Sequence, residues 1–459
     1  MKHLRFFFAG IIGIVAVCIA AYVFFRYQHS AQVPVCTGCN VVLIAVDPLR
    51  ADSLYRFGHF GSITPSLTGF SRQGVVFTNA FAVSSWTLPS AMSLLTSTYP
   101  SVHKIVNKDL LGKTAVQGLI PADLATASPN IKTLASVFKN SGYVTGGFAG
   151  GAALAPSFGF SEGFDSYESP GEFEGLPVVI PRALSFIKKN AGKPMFVFVH
   201  GFDTHGQYIP PGGLTKKYVS PSYHGTLTGS AQEQKALREQ GVMNGDISLT
   251  PEDVTFLRAI YEEKVSDMDA EVGKFLAAYR KLSIKRKTIF IFTSDHGDEF
   301  YEHGRIDHGM TLYDEVLHVP LIIVVPGMNG GKILTDQVRN IDIMPTLLAL
   351  TGITPSPSVK AQMEGVSLIP TMEGIHQHLD LFAETVYRYA TSLVAIRTWD
   401  GWKFIFNRET SAGHLYHLTA DPTEQKDIGN SDENSKAQEL MSQLMQYVSR
   451  AQTRSGSPL

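Results

Sequence analysis

The sequence predicts an α/β protein with a large doubly wound, mostly parallel sheet flanked by helices, followed by a smaller C-terminal antiparallel α+β subdomain. Three continuous apolar runs have the character of buried parallel strands, at residues 40–46, 195–199 and 288–292. Stretches with apolar residues at helical spacing separate them, at residues 130–138 and 256–275. Alternation of buried strands and amphipathic helices is typical of a doubly wound sheet.

The C-terminal part has a different pattern. A helix start at residues 342–348 is followed by Pro355 and Pro357, which mark a linker. Beyond the linker we predict three short antiparallel strands and a closing polar helix, at residues 393–397, 402–406, 414–418 and 437–448. We therefore divide the chain into an N-terminal segment, a main domain and a C-terminal subdomain, at residues 1–33, 40–355 and 375–450.

The N-terminal segment contains an uncharged apolar run at residues 6–25, long enough to cross a hydrocarbon core of roughly 30 Å. Lys2 and Arg5 precede this run, so the positive-inside rule places the N-terminus in the cytoplasm. We predict a membrane anchor with the rest of the chain on the periplasmic or extracellular side. The alternative is a cleaved signal peptide and a secreted chain, because Ala20 and Ala21 offer small residues near its end.

Composition excludes some partners. The 459 residues are 44% hydrophobic and 17% charged, with a formal net charge of -2, and nothing in this balance suggests a nucleic-acid polymer as partner. There are three cysteines, and Cys36 and Cys39 have CxxC spacing without a second pair. A structural zinc site would therefore lack half of its ligands, and for an exported chain we favour a local disulfide over a redox function.

Polar residues follow each of the three predicted strands. Asp47 follows the first strand, His200, Asp203 and His205 follow the second, and Asp295, His296 and Asp298 follow the third. Ligands of open α/β sheets bind at the carboxyl ends of the strands. The sequence therefore predicts one shared polar site at this edge of the sheet.

A further stretch, residues 85–95, combines a turn with a helix start at Thr87. Pro89 fits the first helical turn, and Leu88, Met92 and Leu95 have helical spacing. A hydroxyl at a helix N-terminus is close to unpaired N–H groups that attract anions, so Thr87 is a candidate nucleophile for a phosphate or sulfate centre. Taken alone, the stretch fits an N-cap threonine better.

Seven segments, in this order along the chain, resemble the sulfatase family of the alkaline phosphatase superfamily: NVVLIAVDPLRAD, TPSLTGFSRQGVVFTNAFA, WTLPSAMSLLTSTYP, HGFDTHGQYIPP, SDHGDEFYEHGRIDHGMTLYDE, DIMPTLLALTGI and GHLYHLTADPTEQKDI. The resemblance implies an alkaline-phosphatase-like fold, with residues 40–355 as the catalytic domain. It also implies a hydrolase that acts on an anionic ester.

The resemblance also implies roles for single residues. Asp47, Asp295 and His296 match metal ligands, and Thr87 matches the nucleophile, which would also contact the metal. His205 and His308 match cationic residues around the substrate anion, and His308 could protonate the leaving oxygen. One divalent metal ion is implied, which would lower the pKa of the Thr87 hydroxyl and neutralise charge on the substrate.

The chain departs from the family pattern at several positions. Pro48 replaces a second metal-binding aspartate. His296 replaces an asparagine, which favours Zn²⁺ or Mn²⁺ and leaves Ca²⁺ possible. Ala91, Gly151 and Ala153 stand where the family has cationic residues that bind sulfate.

Thr87 itself departs from the family, whose true sulfatases have a cysteine or serine there that is converted to formylglycine. Threonine would yield a ketone instead. The pattern is closer to members that use threonine directly, such as phosphoethanolamine or phosphoglycerol transferases and nucleotide phosphodiesterases. We therefore favour phosphodiester cleavage. Sulfate ester hydrolysis and a catalytically silent binding protein are the alternatives.

Other polar residues of the region are interpreted as structural. We expect a salt bridge at Arg50, a core histidine at His200, and a solvated turn at Asp298 and Glu299. His303 is equally compatible with a structural role and with support of the metal ligands. Residues 146–151 are interpreted as a turn, and residues 207–253 as a long surface excursion that borders the substrate entrance.

Overall fold

The computed structural model of the protein describes residues 32–54, 63–106, 131–244, 247–387, 391–429 and 434–455. The predicted anchor at residues 6–25 lies outside these ranges. Among the described residues, no helix is long and apolar enough to cross a membrane. Cys36 and Cys39 are paired in a disulfide.

Eight strands form the large sheet: β1 (Asn40–Val46), β2 (Val75–Phe81), β3 (Val144–Ala149), β4 (Ser166–Glu168), β5 (Met195–Gly201), β6 (Thr288–Ser294), β9 (His318–Val324) and β10 (Lys332–Arg339). Two strands form a small hairpin, β7 (Glu299–Phe300) and β8 (Ile306–Asp307). Four more form a separate antiparallel sheet, β11 (Leu381–Tyr387), β12 (Thr391–Arg397), β13 (Trp402–Asn407) and β14 (Gly413–His417).

The helices of the described ranges are α1 (Pro65–Ser71), α2 (Thr87–Thr96), α3 (Pro100–His103), α4 (Leu134–Asn140), α5 (Leu176–Lys189), α6 (Ala231–Asn244), α7 (Pro251–Lys281), α8 (Asp314–Leu317), α9 (Ile343–Thr351), α10 (Pro357–Gln362), α11 (Ile369–Met372) and α12 (Asn434–Ser455). The two longest are α7, which lies against one face of the large sheet, and α12, which packs on the C-terminal sheet.

The large sheet has the strand order β10-β2-β9-β6-β1-β5-β3-β4. Its strands are parallel except for β9, which is antiparallel to both of its neighbours. β1 lies between β5 and β6 and is buried along its whole length, as its continuous apolar sequence predicts. Because these three strands are parallel neighbours, their carboxyl ends meet at one edge of the sheet. The predicted α/β fold with a mostly parallel, helix-flanked sheet is confirmed.

The sequence analysis missed several elements, among them β3, which overlaps the turn predicted at residues 146–151, one strand of the C-terminal sheet and a helix of the excursion. The C-terminal sheet has four strands, whereas three were predicted. β11 was not predicted because the charged residue Glu384, which is buried in the structure, interrupts the apolar pattern of the strand. Ser101 Oγ donates a hydrogen bond of 2.7 Å to Glu384, and the Tyr447 hydroxyl donates another. The excursion at residues 207–253 contains α6, whose mostly polar sequence hides its helical character. The closing helix α12 is also longer than predicted.

Candidate metal centre and active site

Four side chains from the three central strands meet at the carboxyl edge of the large sheet: Asp47, His200, Asp295 and His296. His296 Nε2 lies 3.4 Å from Asp47 Oδ1 and 3.7 Å from Asp295 Oδ2. His200 Nε2 lies 3.9 Å from Asp47 Oδ2 and 3.8 Å from Asp295 Oδ2. All four side chains are buried. The structure therefore brings together three sequence-predicted residues and adds His200.

Hydrogen bonds hold the strand ends that carry these side chains. Ser294 Oγ donates to the carbonyl of Val46 at 2.6 Å, which joins the ends of β1 and β6. His296 Nδ1 lies 2.8 Å from the carbonyl oxygen of Gly297, so the proton sits on Nδ1 and the Nε2 lone pair faces the cluster. The histidine is thus oriented as a metal ligand usually is.

Thr87 begins α2 beside this cluster. Its Oγ1 donates a hydrogen bond of 2.8 Å to Asp47 Oδ2 and lies 3.3 Å from His296 Nε2. The N-cap of α2 is Trp86, and no side chain caps the helix. The threonine hydroxyl is thus directed at the acidic cluster and not at its own helix, so the N-cap interpretation is wrong.

The residues present fit a divalent cation. Asp47 Oδ1, both carboxylate oxygens of Asp295 and both ring nitrogens of His200 are sealed from solvent and have no hydrogen-bond partner among the described residues. Leaving such groups buried and unpaired is costly, whereas two carboxylates beside imidazole nitrogens are a common metal-ligand set. Burial and the neighbouring Asp295 raise the pKa of Asp47 well above its usual value.

A second group of residues lies next to the cluster and is centred on His308. The rings of His308 and His296 are 4.3 Å apart between centroids. His308 Nδ1 is held between Asp307 Oδ1 at 2.9 Å and Asp298 Oδ1 at 3.0 Å. Burial by itself would lower the pKa of His308, but Asp307 and Asp298 outweigh it and hold this pKa well above its ordinary value. His308 Nε2 makes no hydrogen bond within the described part of the chain, and this nitrogen is therefore available to a substrate.

His205 completes the group, with its ring centroid 5.1 Å from that of His308. Its ring also lies over Phe173, at 4.6 Å between centroids. Burial and the His308 imidazole lower the pKa of His205 well below its ordinary value, and Arg238 acts in the same direction. Lys264 supports the His205 backbone, because its Nζ donates to the carbonyls of His205 and Gly206 at 2.8 and 3.1 Å. His205 and His308 therefore lie together beside the cluster.

Ala91, Gly151 and Ala153, at the positions where the family has cations, carry no charged side chain. Ala91 and Ala153 are buried. Gly151 has a φ of +100°, and a Cβ there would lie 1.6 Å from the carbonyl oxygen of Gly171. No side chain fits at Gly151 without a change of backbone, so a lysine is excluded there on steric grounds.

Several further expectations can be compared with the structure. Asp298 and Glu299 do not form a solvated turn: their side chains are buried, and burial raises their pKa to about 6 and about 8. Arg50 is a structural ion-pair residue as predicted, with Nη2 2.7 Å from Asp52 and Nη1 2.5 Å from Glu302. His303 Nδ1 is 2.5 Å from Glu315 Oε1, and these two residues form with Glu299 a group of possible metal ligands apart from Asp47, Asp295 and His296.

His200 is a functional candidate that the sequence analysis placed at the shared strand-end site but interpreted as a core histidine. It is buried at the strand end, as a core histidine would be, but both ring nitrogens lack partners within the described ranges. The signal available was its position at the end of a buried strand beside two other polar strand ends. A histidine there faces the same edge of the sheet as Asp47 and Asp295.

Known proteins share this fold and sequence pattern. Residues 39–353 match the family model for Sulfatase, and residues 301–453 match the model for N-sulphoglucosamine sulphohydrolase, C-terminal. Arylsulfatase K of Bos taurus is 30% identical over 191 residues, which are 39% of this chain and 34% of that protein. The chain thus matches about a third of the length of this relative.

Solved structures agree in fold. Phosphonate monoester hydrolase of Agrobacterium radiobacter superposes with a TM-score of 0.71 at 20% identity, covering 90% of this chain and 96% of that one. A protein solved in complex with its substrate D-glucosamine-2-N,6-O-disulfate superposes with a TM-score of 0.66 at 18% identity, covering 91% and 98%. Because the Sulfatase model matches more than half of the sequence, this chain belongs to the sulfatase family.

Proposed function

We propose that this chain is a metal-dependent hydrolase or transferase that cleaves a phosphodiester through Thr87, with its catalytic domain outside the cytoplasm behind an N-terminal membrane anchor. The observation that carries the proposal is the hydrogen bond from Thr87 Oγ1 to Asp47 Oδ2, which aims the hydroxyl at the acidic cluster. Threonine at this position favours direct attack on the substrate, since it lacks the route to the formylglycine of ordinary sulfatases.

Asp47, Asp295 and His296 would hold one divalent ion, and Thr87 would contact it. Bound there, such an ion supplies a Lewis acid that stabilises the alkoxide of Thr87 and the negative charge of the substrate. We favour Zn²⁺ or Mn²⁺ over Ca²⁺, because His296 is an imidazole ligand and His200 brings a second imidazole to the same cluster.

The remaining groups have separate tasks. Thr87 Oγ1 forms a bond to phosphorus as the bond to the leaving oxygen breaks, and its proton passes to Asp47 Oδ2, which already accepts its hydrogen bond. His308 Nε2 gives a proton to the leaving oxygen, while Asp298 and Asp307 fix the ring through Nδ1. Water or an alcohol then displaces Thr87 from phosphorus, giving its proton to His308 Nε2, while Asp47 Oδ2 returns its proton to the departing Thr87 Oγ1. His205, beside His308, contacts the substrate anion.

The proposal is tested with Thr87→Ala and Thr87→Ser on bis(4-nitrophenyl) phosphate. We expect Thr87→Ala to lose activity by at least about a thousandfold and Thr87→Ser to retain part of it, with metal content unchanged in both. Thr96→Ala is the matched control, because Thr96 lies in the same helix and donates to the carbonyl of Met92. Full activity in Thr87→Ala with metal retained would refute the nucleophile assignment.

Sulfate ester hydrolysis is the second candidate, favoured by the match to the Sulfatase family and by the name of the bovine relative. Parallel assays of 4-nitrophenyl sulfate and bis(4-nitrophenyl) phosphate separate the two. A clear sulfate preference would reverse our ranking. A catalytically silent binding protein, suggested by Ala91, Gly151 and Ala153, requires instead that the purified chain contain no stoichiometric metal.

A further inference from the structure

Arg238 is a buried arginine that the proposed chemistry does not use. It lies on α6, in the long excursion between β5 and α7. Its side chain is 9% exposed, whereas Lys235 on the same helix is exposed. α6 packs against β8, the strand that ends at Asp307 just before His308. The helix thus places one cation at the edge of the candidate active site.

The guanidinium of Arg238 has few partners. Its nearest carboxylates are Asp307, with Oδ2 3.6 Å from Nε, and Glu239, with Oε1 3.7 Å from Nη2. Both distances exceed a hydrogen bond. Nε is sealed from solvent and unpaired within the described part of the chain. A guanidinium carries five N–H donors, and buried arginines normally use them in short, paired contacts with anions. Nη1 and Nη2 make no hydrogen bond within the described ranges, so these two atoms are the donors that Arg238 can offer to an anion that is not part of this chain.

The position of Arg238 indicates which anion this is. Asp307 lies between Arg238 and His308, since its Oδ1 contacts His308 Nδ1 and its Oδ2 faces Arg238. His308 in turn links Asp307 to the cluster, since its ring centroid lies 4.3 Å from that of His296. An anion at Arg238 is therefore displaced from the group that Thr87 attacks, on the side where His308 serves the leaving oxygen.

We propose that Arg238 binds a second anionic group on the leaving-group side of the substrate, so that the preferred substrates are esters that carry a carboxylate, sulfate or phosphate beside the scissile bond. This inference rests on the proposed function for the location of the leaving group.

The test uses two inert ligands, phenylphosphonate and 3-carboxyphenylphosphonate, titrated calorimetrically into the full chain loaded with Zn²⁺. We expect the carboxylated ligand to bind about tenfold more tightly, since a hydrogen bond between two charged groups strengthens binding by at least this factor. Arg238→Gln should abolish this preference and leave the affinity for phenylphosphonate unchanged. Lys235→Gln is the matched control on the same helix and should behave as the wild type.

A purely structural role of Arg238, acting through Asp307 on His308, gives a different result. Arg238→Gln would then weaken both ligands equally and would shift the pH profile of hydrolysis. Either finding, or equal affinity of the wild type for the two ligands, overturns the proposal. If Arg238→Gln does not fold, Arg238→Lys takes its place in the test. This variant keeps the positive charge and should retain part of the preference for the carboxylated ligand. Thr87→Ala should keep the full preference, which separates failure of this inference from failure of the nucleophile assignment.

Discussion

Replacement of Glu299 by glutamine should change the pH dependence of stability. Glu299 follows the metal candidates by three residues and is 1% exposed. Thr311 Oγ1 donates to its Oε2 at 2.8 Å, but Oε1 is sealed and has no partner among the described residues. Burial, with a further contribution from Glu315, raises the pKa of Glu299 to about 8. The folded protein therefore keeps this carboxyl protonated where the unfolded chain has already released the proton.

The sign and size follow from proton linkage. The stability that the protonated carboxyl contributes is fully present below the ordinary pKa of 4.5 and is lost as the pH rises to about 8. The difference between these two values corresponds to a loss on the order of 5 kcal/mol, since each tenfold change in proton affinity is worth about 1.4 kcal/mol. Glutamine has the same shape, can accept the Thr311 hydrogen bond and never ionises, so the variant should not show this loss.

Urea unfolding of the wild type and of Glu299→Gln at pH 5, 7 and 9 measures the effect. We expect nearly equal stability at pH 5 and a variant that is more stable by a few kcal/mol at pH 9. Glu409→Gln, at an exposed position, should show no pH-dependent difference. A difference between wild type and Glu299→Gln that stays constant from pH 5 to 9 would contradict the burial argument.

Three further predictions concern the site and its frame. Asp295→Asn should remove most bound metal and abolish the rise in melting temperature on Zn²⁺ addition, as measured by elemental analysis and thermal melts; retained metal would contradict the ligand set. Asp298→Asn should lower kcat by about tenfold with little change in KM, because one of the two carboxylates at His308 Nδ1 loses its negative charge. An unchanged kcat would argue against this positioning. Gly151→Ala should destabilise the fold by more than about 2 kcal/mol in urea unfolding, since its Cβ meets the Gly171 carbonyl at 1.6 Å. Equal stability would refute the steric argument.

The sequence predicted the parts of the fold that depend on continuous apolar runs. β1, β5 and β6 lie where their apolar segments predict, because a strand buried on both faces has to be apolar along its length. The same reasoning located Asp47 and Asp295, since parallel neighbours end at one edge. It failed for β11, because the buried Glu384 accepts a hydrogen bond from Ser101, which is almost three hundred residues away in sequence. Such long-range partners leave no local pattern.

The candidate site was predictable where a residue's neighbours follow from the sheet, and not where they come from packing. Asp298 and Glu299 are in a polar stretch and were predicted to form a solvated turn. In the structure both side chains are buried where the β7–β8 hairpin begins. Asp298 then meets His308, ten residues later in the chain. Arg238 is a stronger case: nothing in its mostly polar helix distinguishes it from Lys235, and only the docking of α6 on β8 selects which cation is buried.

Thr87 shows how the two kinds of information combine. Its sequence context predicts a helix start, and a threonine there is most simply an N-cap. In the structure the hydroxyl donates to Asp47 Oδ2, and the N-cap residue of the helix is Trp86. The hydroxyl donates to a buried carboxylate in a cluster where Asp47 Oδ1 and both carboxylate oxygens of Asp295 have no partner among the described residues, and a cation bound there would balance these groups. The same cation would make Thr87 acidic enough to attack, so the packing of this residue and its proposed chemistry have one cause.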